Sequence, residues 1–326
     1  NFYNYRIIKI KMKKIKKIHN KTINEAIGFL KKGKLIGFPT ETVYGLGADA
    51  TNKEAVLKIY KNKNRPKSNP LIVHVATIDQ AKTIGVFNDK IEKIIKDFWP
   101  GPLTVVLRRK DNSKICEELC AGTDTIAIRI PNNKTILSLI KKLGKPIAAP
   151  SANKFGMLSP ASASHVEKQF KNNDDIPLIL DGGKTKIGVE STVIGEENNN
   201  IIIYRHGGIT KEILEKKINE EILEKVNAKV SEKSNLSPGM LKKHYSPTVP
   251  LRINITNPEK DEVLIGFGKS FEEPNLSKSG DLEEAASNLF YLLEKYEAKG
   301  SKIAIAPIPN IGIGVAINDR LNRAIQ

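Results

Sequence analysis

The chain has 326 residues, 40% of them hydrophobic, and a formal net charge of +17. This length favours two domains, and no apolar run reaches the roughly 18 to 20 residues of a membrane helix, so we expect no membrane association. The lysine-rich start lacks the apolar segment of a signal peptide, so we expect a cytoplasmic protein. The excess of positive charge predicts an anionic partner. Its two cysteines, Cys116 and Cys120, lack clustered histidines, which disfavours a zinc site or a disulfide.

The first part of the chain predicts many strands and few helices. Residues 1–18 are a lysine-rich leader, after which a capping box of Thr22 and Glu25 begins a helix that Gly33 ends. Further helices are predicted over 53–61, 89–99, 134–143 and 161–170, and strands over KLIGFPT, LIVHVA, LTVVLRR, TIAIRIP, PIAAPS, IPLILDGG, ESTVIG and IIIYR. Short turns between strands favour a mixed sheet of irregular order in an α/β or α+β domain over 19–217.

The composition changes after residue 217. Residues 218–247 are charged and polar and end in SPGMLKKHYSP, which predicts a linker. From residue 248 to 326 the pattern strand, strand, helix, strand indicates a small domain with a parallel sheet. The chain ends inside a pattern that still favours a helix.

The most basic short loop is KNKNRPKSNPL, between a predicted helix and a predicted strand. Lys63, Arg65 and Asn69 place an ammonium, a guanidinium and an amide near one point, which suits an anion. The alternative is a solvated basic turn.

Other polar residues lie within or just after apolar strands. His74 and Arg129 lie inside LIVHV and IAIRIP, where an unpaired charge is costly. Taken singly, His74 suits a satisfied core histidine and Arg129 a salt bridge at a sheet edge. Ser151, Asn153 and Ser191 lie at strand ends, where such residues often serve turns. Their joint position favours one concave face.

The standard nucleotide signatures are absent from the sequence. It has no GxxxxGK[ST] motif, and the GIG at residues 312–314 lacks the remaining features of a dinucleotide loop. A bound nucleotide would therefore need cationic side chains for its phosphates.

Seven ordered segments together resemble the YrdC-like family of L-threonylcarbamoyladenylate synthases, in the long form with a C-terminal domain. They are FPTETVYGLGA, KNRPKSNPLIVHV, WPGPLTVVL, DTIAIRIP, PIAAPSAN, GVESTVI and SPGMLKKHYSP. The resemblance implies an α/β fold with a twisted mixed sheet around a basic central cavity, and a smaller Rossmann-like parallel-sheet domain.

The resemblance also implies a reaction. L-threonine, bicarbonate or CO2, and ATP with Mg²⁺ would give threonylcarbamoyl-AMP and pyrophosphate, for N6-threonylcarbamoylation of adenosine 37 in tRNA. Downstream threonylcarbamoyl-transferase proteins would be partners, with at most weak tRNA contact. No metal site made by protein side chains alone is expected.

Site residues carry over from the family motifs. Lys63 and Arg65 would be catalytic. Threonine would contact Thr40, His74, Arg129 and Ser191. ATP would contact Lys63, Arg65, Asn69, Thr125, Ser151, Asn153, Ser159, Arg205, Lys243 and Tyr245. One departure is visible, because His206 stands where the family usually has proline.

The segment IGFPTETVYGLGAD suits a threonine pocket. Thr40 and Thr42 offer hydroxyls, and we expect Gly45 and Gly47 to let the ligand approach the backbone. Arg129 would bind the carboxylate.

The linker motif SPGMLKKHYSP is more specific than flexibility requires. We hypothesise a lid, with Lys243 or His244 near the phosphates and Tyr245 shielding the adenylate from water. A rigid turn that docks the two domains is the alternative.

Two rival functions remain. A module that binds double-stranded RNA or tRNA without catalysis would suit the basic charge, although aromatic residues make up only 6% of the chain. The related domain of hydrogenase-maturation carbamoyltransferases is disfavoured, because those proteins carry zinc-finger cysteines.

Overall fold

The computed structural model describes residues 14–225 and 244–325. The larger domain contains the strands β1 Ile15–Lys17, β2 Ile36–Phe38, β3 Gly45–Asp49, β4 Ile72–His74, β5 Leu103–Arg108, β6 Thr125–Arg129, β7 Ile147–Ala148, β8 Leu178–Asp181, β9 Thr192–Glu197, β10 Asn200–Arg205 and β11 Leu223–Glu224. Its helices are α1 Asn20–Lys31, α2 Lys53–Lys63, α3 Ile78–Lys82, α4 Asp89–Phe98, α5 Lys134–Leu143, α6 Ala163–Gln169 and α7 Lys211–Ile218, with a 3-10 turn at Glu117–Cys120.

These strands form one mixed sheet, as predicted. Its order is β1-β8-β2-β3-β7-β4-β6-β5-β9-β10-β11. Parallel pairs such as β4 with β6 alternate with antiparallel pairs such as β5 with β6. The irregular order brings strand ends from distant parts of the chain to neighbouring positions.

The smaller domain contains β12 Leu251–Ile253, β13 Glu262–Ile265, α8 Leu282–Glu297, β14 Lys302–Ile305 and α9 Gly314–Ala324. Its three strands are parallel, in the order β12-β14-β13. This is the small parallel-sheet domain that the sequence predicts. In the two described ranges together, no helix has the length and apolar character needed to cross a membrane.

Several predicted details change in the structure. Helix α1 begins after His19, which is the N-cap, and Thr22 is the third helical residue of the capping box instead of its cap. Strand β3 was not predicted, because GLGAD is poor in strand-forming residues and its conformation comes from pairing with β2. Strand β11 pairs with β10, so the large sheet extends into the segment expected to be linker.

The two domains share one hydrophobic core cluster. Val43, Leu158 and Val189 of the larger domain pack with residues of α8, including Phe290. Gly188 has φ +79°, and a Cβ atom there would lie 2.2 Å from the carbonyl oxygen of Ala286 in α8. The domains are therefore packed backbone to backbone at this point.

Candidate active site

A cavity with about 550 Å³ of empty space, part of it open to solvent, lies at the strand ends of the large sheet. Its wall includes eight of the residues predicted from the sequence: Thr40, Arg65, His74, Arg129, Ser151, Ser191, Arg205 and Tyr245. The structure therefore brings together polar residues from six separate sequence motifs, the last of which is the end of the predicted linker.

The sheet topology explains this convergence. His74 and Arg129 are the last residues of the parallel neighbours β4 and β6 and are register partners. Ser191 directly precedes β9, and Arg205 is the last residue of its antiparallel neighbour β10. Strand ends that meet at one edge of a sheet form a natural ligand crevice.

Arg65 lies in the basic loop, two residues after α2 ends, and its guanidinium is held by the loop backbone. Nε donates to the carbonyl of Asn69 at 3.1 Å, and Nη2 donates to that of Pro70 at 2.7 Å. Burial is the largest cause that lowers the pKa of Arg65, to about 10. The loop backbone therefore holds the Arg65 guanidinium in a fixed position, while Lys67 and Ser68 of the same loop are exposed.

Lys63 lies beneath the cavity wall and is 1% exposed. Its Nζ donates to the carbonyl of Ser151 at 2.6 Å and also to that of Asn153. Burial first, and Arg65 second, lower the pKa of Lys63 well below its usual value. Lys63 thus joins α2 to the loop after β7.

Arg129 is buried and contacts three partners. Nε donates to the carbonyl of Gly101 at 3.2 Å, and Nη1 donates to Thr42 Oγ1 at 3.1 Å. Nη2 lies 2.7 Å from Glu41 Oε1, in an ion pair without the alignment of a hydrogen bond. Glu41 was not predicted as a site residue, although its place between two threonines of the FPTET segment is visible in the sequence.

His74 is 4% exposed, and its Nδ1 has no hydrogen-bond partner among the described residues. Burial, followed by the charge of Arg129, lowers the pKa of His74 to about 3. The imidazole is therefore neutral near pH 7. A buried polar atom without a partner on a cavity wall is a feature that a ligand can satisfy.

The hydroxyls of Thr40 and Ser191, which were predicted to contact the threonine substrate, already have protein partners. Thr40 Oγ1 donates to the carbonyl of Val43 at 2.6 Å and lies 2.8 Å from Thr42 Oγ1. Ser191 Oγ lies 2.7 Å from Thr104 Oγ1 and accepts from Arg205 Nη2 at 3.1 Å. Both hydroxyls are therefore oriented before any ligand arrives.

Besides Lys63, five predicted site residues do not line the described cavity or cannot be placed. Asn69, Asn153 and Ser159 are buried next to it, and Asn153 Oδ1 has no partner in the described part of the chain. Thr125 lies at the opposite end of β6 from Arg129 and is 3.0 Å from Thr123 Oγ1. Lys243 lies outside the described residues.

The wall also contains Glu190 and His244. Glu190 belongs to the segment GVESTVI, but only the hydroxyls that follow it were predicted as site groups. Burial, the largest cause, lowers the pKa of His244 to about 3. Tyr245 has a left-handed backbone with φ 64°, which is rare for a bulky residue and typical of functional segments.

The structure shows what Gly47 and His206 contact. A Cβ atom on Gly47 would lie 2.5 Å from the Phe38 ring, so the expectation that Gly47 serves ligand approach was wrong; the glycine makes room for Phe38. His206, in place of the usual proline, has Nε2 3.1 Å from Glu224 Oε2, while Arg205 still donates to the carbonyl of Ser191 at 2.9 Å.

Comparison with known proteins agrees with this geometry. Residues 28–207 match the model of the Sua5, YciO and YrdC proteins, described as telomere recombination. Residues 209–325 match a model described as threonylcarbamoyl-AMP synthase, C-terminal domain.

Individual relatives match along almost the whole chain. A Bacillus subtilis protein named threonylcarbamoyl-AMP synthase is 39% identical, with 93% of this chain and 92% of that protein covered. A Pyrococcus abyssi protein of the same name is 37% identical, with 93% of each covered. The crystal structure of P. abyssi Sua5 complexed with L-threonine superposes with a TM-score of 0.86 at 36% identity, covering 95% of this chain and 96% of that one.

Proposed function

This chain belongs to the Sua5, YciO and YrdC family in its long form, and from that membership we propose that it is an L-threonylcarbamoyladenylate synthase. The amine of threonine combines with CO2, or with bicarbonate and loss of water, to give a carbamate. A carbamate oxygen then attacks the α-phosphorus of ATP, and the bond to the β-phosphate oxygen breaks to release pyrophosphate. The products are threonylcarbamoyl-AMP and pyrophosphate.

The observation that carries this proposal is the pairing of Arg129 and His74 on the cavity wall. A guanidinium suits the threonine carboxylate, and the neutral imidazole of His74 on the cavity wall suits its hydroxyl or amine. The oriented hydroxyls of Thr40 and Ser191 complete a small polar pocket. The likeness to a P. abyssi protein described as complexed with L-threonine supports this assignment.

The phosphates of ATP would lie toward Arg65 and Arg205, which also line the cavity. The reaction brings an anionic carbamate to an anionic phosphate, so the main requirement is fixed positive charge. Arg65 meets this requirement because the loop backbone holds its guanidinium in place. Lys63, beneath the wall, ties α2 to the loop that carries Ser151.

Mg²⁺ is the cation that usually accompanies ATP, and carboxylate side chains are its usual protein ligands. The described residues contain no cluster of three His, Cys, Asp or Glu side chains. Glu190 is a carboxylate on the wall, but its two oxygens already accept from Ser159 Oγ and Arg320 Nε. These residues therefore do not form a magnesium site, and any Mg²⁺ belongs with the ATP phosphates as part of the substrate.

The product would supply the N6-threonylcarbamoyl group of adenosine 37 in tRNA, through separate threonylcarbamoyl-transferase proteins. A non-catalytic RNA-binding module is not favoured. The cavity wall carries hydroxyls and cationic groups that suit a small anionic ligand, and the long relatives are named as synthases.

The test is pyrophosphate release by the full chain with ATP, threonine and bicarbonate. Release should require all three substrates, and a product with the mass of threonylcarbamoyl-AMP should accumulate when hydrolysis is slow. Release without threonine or without bicarbonate would contradict the proposal. RNA should not be needed.

A further inference from the structure

Arg320 of helix α9 extends from the smaller domain to the wall of the cavity in the larger one. Its side chain is fully buried, and its Nε donates to Glu190 Oε2 at 3.0 Å. Nη1 donates to Asp319 Oδ2 at 2.9 Å, on the same helix. Glu190 lines the cavity, whereas Arg320 does not.

Glu190 connects this contact to residues of the proposed threonine pocket. Its other carboxylate oxygen accepts from Ser159 Oγ. The next residue along the chain is Ser191, whose hydroxyl contacts Thr104 and whose carbonyl accepts from Arg205 at 2.9 Å. Fixing the Glu190 carboxylate therefore also limits the position of the peptide that carries Ser191.

Arg320 also fixes Tyr245. Its guanidinium carbon lies 5.4 Å from the centroid of the Tyr245 ring, within the range of a cation–π contact. The ring of Phe290, on α8, stacks on Tyr245 at 5.7 Å between centroids. Two residues of the smaller domain therefore hold one tyrosine of the cavity wall.

Stability alone is a weak explanation for this arrangement. A buried ion pair often contributes no more than apolar residues of the same volume, because both charges lose their hydration. Arg320 Nη2 has no hydrogen-bond partner in the described part of the chain, which adds to that cost. The ion pair between Arg320 and Glu190 instead fixes one geometry of the cavity wall.

We propose that Arg320 is a positioning residue of the synthase reaction, through which the smaller domain holds Glu190 and Tyr245 in the active arrangement. The inference rests on the proposed function. The cavity of the larger domain is thus complete only when α9 is docked. The smaller domain thereby has a role in catalysis although Arg320 does not touch substrate.

The electrostatics give this role a measurable signature. Burial raises the pKa of the Glu190 carboxyl, but the charges of Arg320 and Arg205 act against it and the pKa lies below its usual value. His244 and Tyr245 also face this carboxylate. Loss of Arg320 removes the larger opposing charge, so Glu190 would protonate at higher pH.

The experiment compares Arg320→Met, Arg320→Lys and a control, Asn322→Ala, which is exposed on the same helix. Pyrophosphate release is measured against pH at saturating substrates, and circular dichroism monitors folding. Arg320→Met should lower turnover at least about tenfold, and the acid limb of its pH profile should move up by about one unit or more. Arg320→Lys should restore part of the activity, and Asn322→Ala should match wild type.

A double mutant separates positioning through Glu190 from general damage. If Arg320 acts through Glu190, the loss in Glu190→Gln/Arg320→Met should be clearly smaller than the product of the two single losses. Independent, multiplicative losses would overturn the inference, as would a folded Arg320→Met with wild-type turnover and an unmoved pH profile. If Arg320→Met does not fold, folded Arg320→Lys decides: partial turnover with the acid limb moved up supports the inference, whereas full inactivity, or wild-type turnover with an unmoved acid limb, overturns it. Inactive wild-type protein would instead count against the proposed function.

Discussion

Nη2 of Arg129 lies 2.7 Å from Oε1 of Glu41, and the two side chains are 4% and 7% exposed. Glu41 does not line the cavity, so it is a counterion held inside the protein while Arg129 faces the ligand. Glu41 therefore balances the positive charge of Arg129, and the proposed threonine carboxylate would be a second anionic partner of the same guanidinium.

Glu41→Ala should lower the free energy of unfolding by about 3 to 5 kcal/mol, because it leaves the Arg129 charge buried without its counterion. Urea denaturation measures this change. Glu272→Ala is the control: the Glu272 side chain is 98% exposed and pairs with Lys278 on the surface, so its loss should cost less than about 1 kcal/mol. Equal effects of the two substitutions would show that the Arg129 contact is not a buried pair of this kind.

Lys63→Ala and Arg65→Ala should each lower turnover by at least about 10²-fold. Arg65→Ala removes fixed positive charge that opposes the repulsion between carbamate and phosphate, and Lys63→Ala removes the amine that holds the loop carrying Ser151. Initial rates of pyrophosphate release provide the measurement. Lys61 is exposed on the same helix as Lys63, so Lys61→Ala should retain wild-type turnover. Turnover near the wild-type rate in either site variant would remove that residue from the catalytic assignment.

The proposed threonine pocket predicts an order of amino-acid use. Serine should be poorer than threonine, since the pocket loses contact with one methyl group worth about 1 to 3 kcal/mol. Valine should be poorer still, because it leaves the polar groups for the hydroxyl without a partner. Specificity constants for the three amino acids test this order, and equal use of valine and threonine would contradict the pocket.

Gly188→Ala should destabilise the protein more than Gly183→Ala. The two glycines have similar backbone angles, φ +79° and +77°, but a Cβ atom meets α8 backbone at Gly188 and open space at Gly183. Gly183→Ala should therefore cost only the strain of the left-handed backbone, about 1 to 2 kcal/mol. Urea denaturation of both variants isolates the contact between the domains, which would be unimportant if the two losses were equal.

Acid should weaken folding through His74. Its folded pKa, about 3, lies below the usual value near 6.5, so the unfolded chain binds the proton more readily. The stabilisation is complete above the unfolded pKa and is lost as pH falls from about 6.5 toward 3. Between about pH 8 and pH 5, this histidine should account for a loss of about 2 kcal/mol.

His74→Leu removes the titrating group, so its unfolding free energy should fall less over this pH interval than that of wild type. Val75→Ile is an apolar change just beyond the same strand and should leave the wild-type pH dependence intact. An unchanged pH dependence in His74→Leu would mean that His74 is not buried in its neutral form.

The sequence by itself determined much of this protein. Apolar periodicity predicted most strands and helices, because burial of alternating or helical faces is a local pattern. Arg65 was found in the basic loop, and Thr40, His74, Arg129 and Ser191 were found as polar residues in or beside predicted strands. Their roles were carried over from the family motifs, and all five residues lie on the cavity wall.

Tertiary structure alone decided how those residues are held. Glu41 and Glu190 looked like ordinary carboxylates in the sequence, since nothing local indicates that their partners are Arg129 and Arg320. Gly47 looked like a ligand contact until β2 and β3 paired and placed Phe38 against it. Local sequence encodes which residues can be buried or charged, but ion pairs between residues 88 or 130 positions apart depend on the sheet order and on domain docking, which no local pattern specifies.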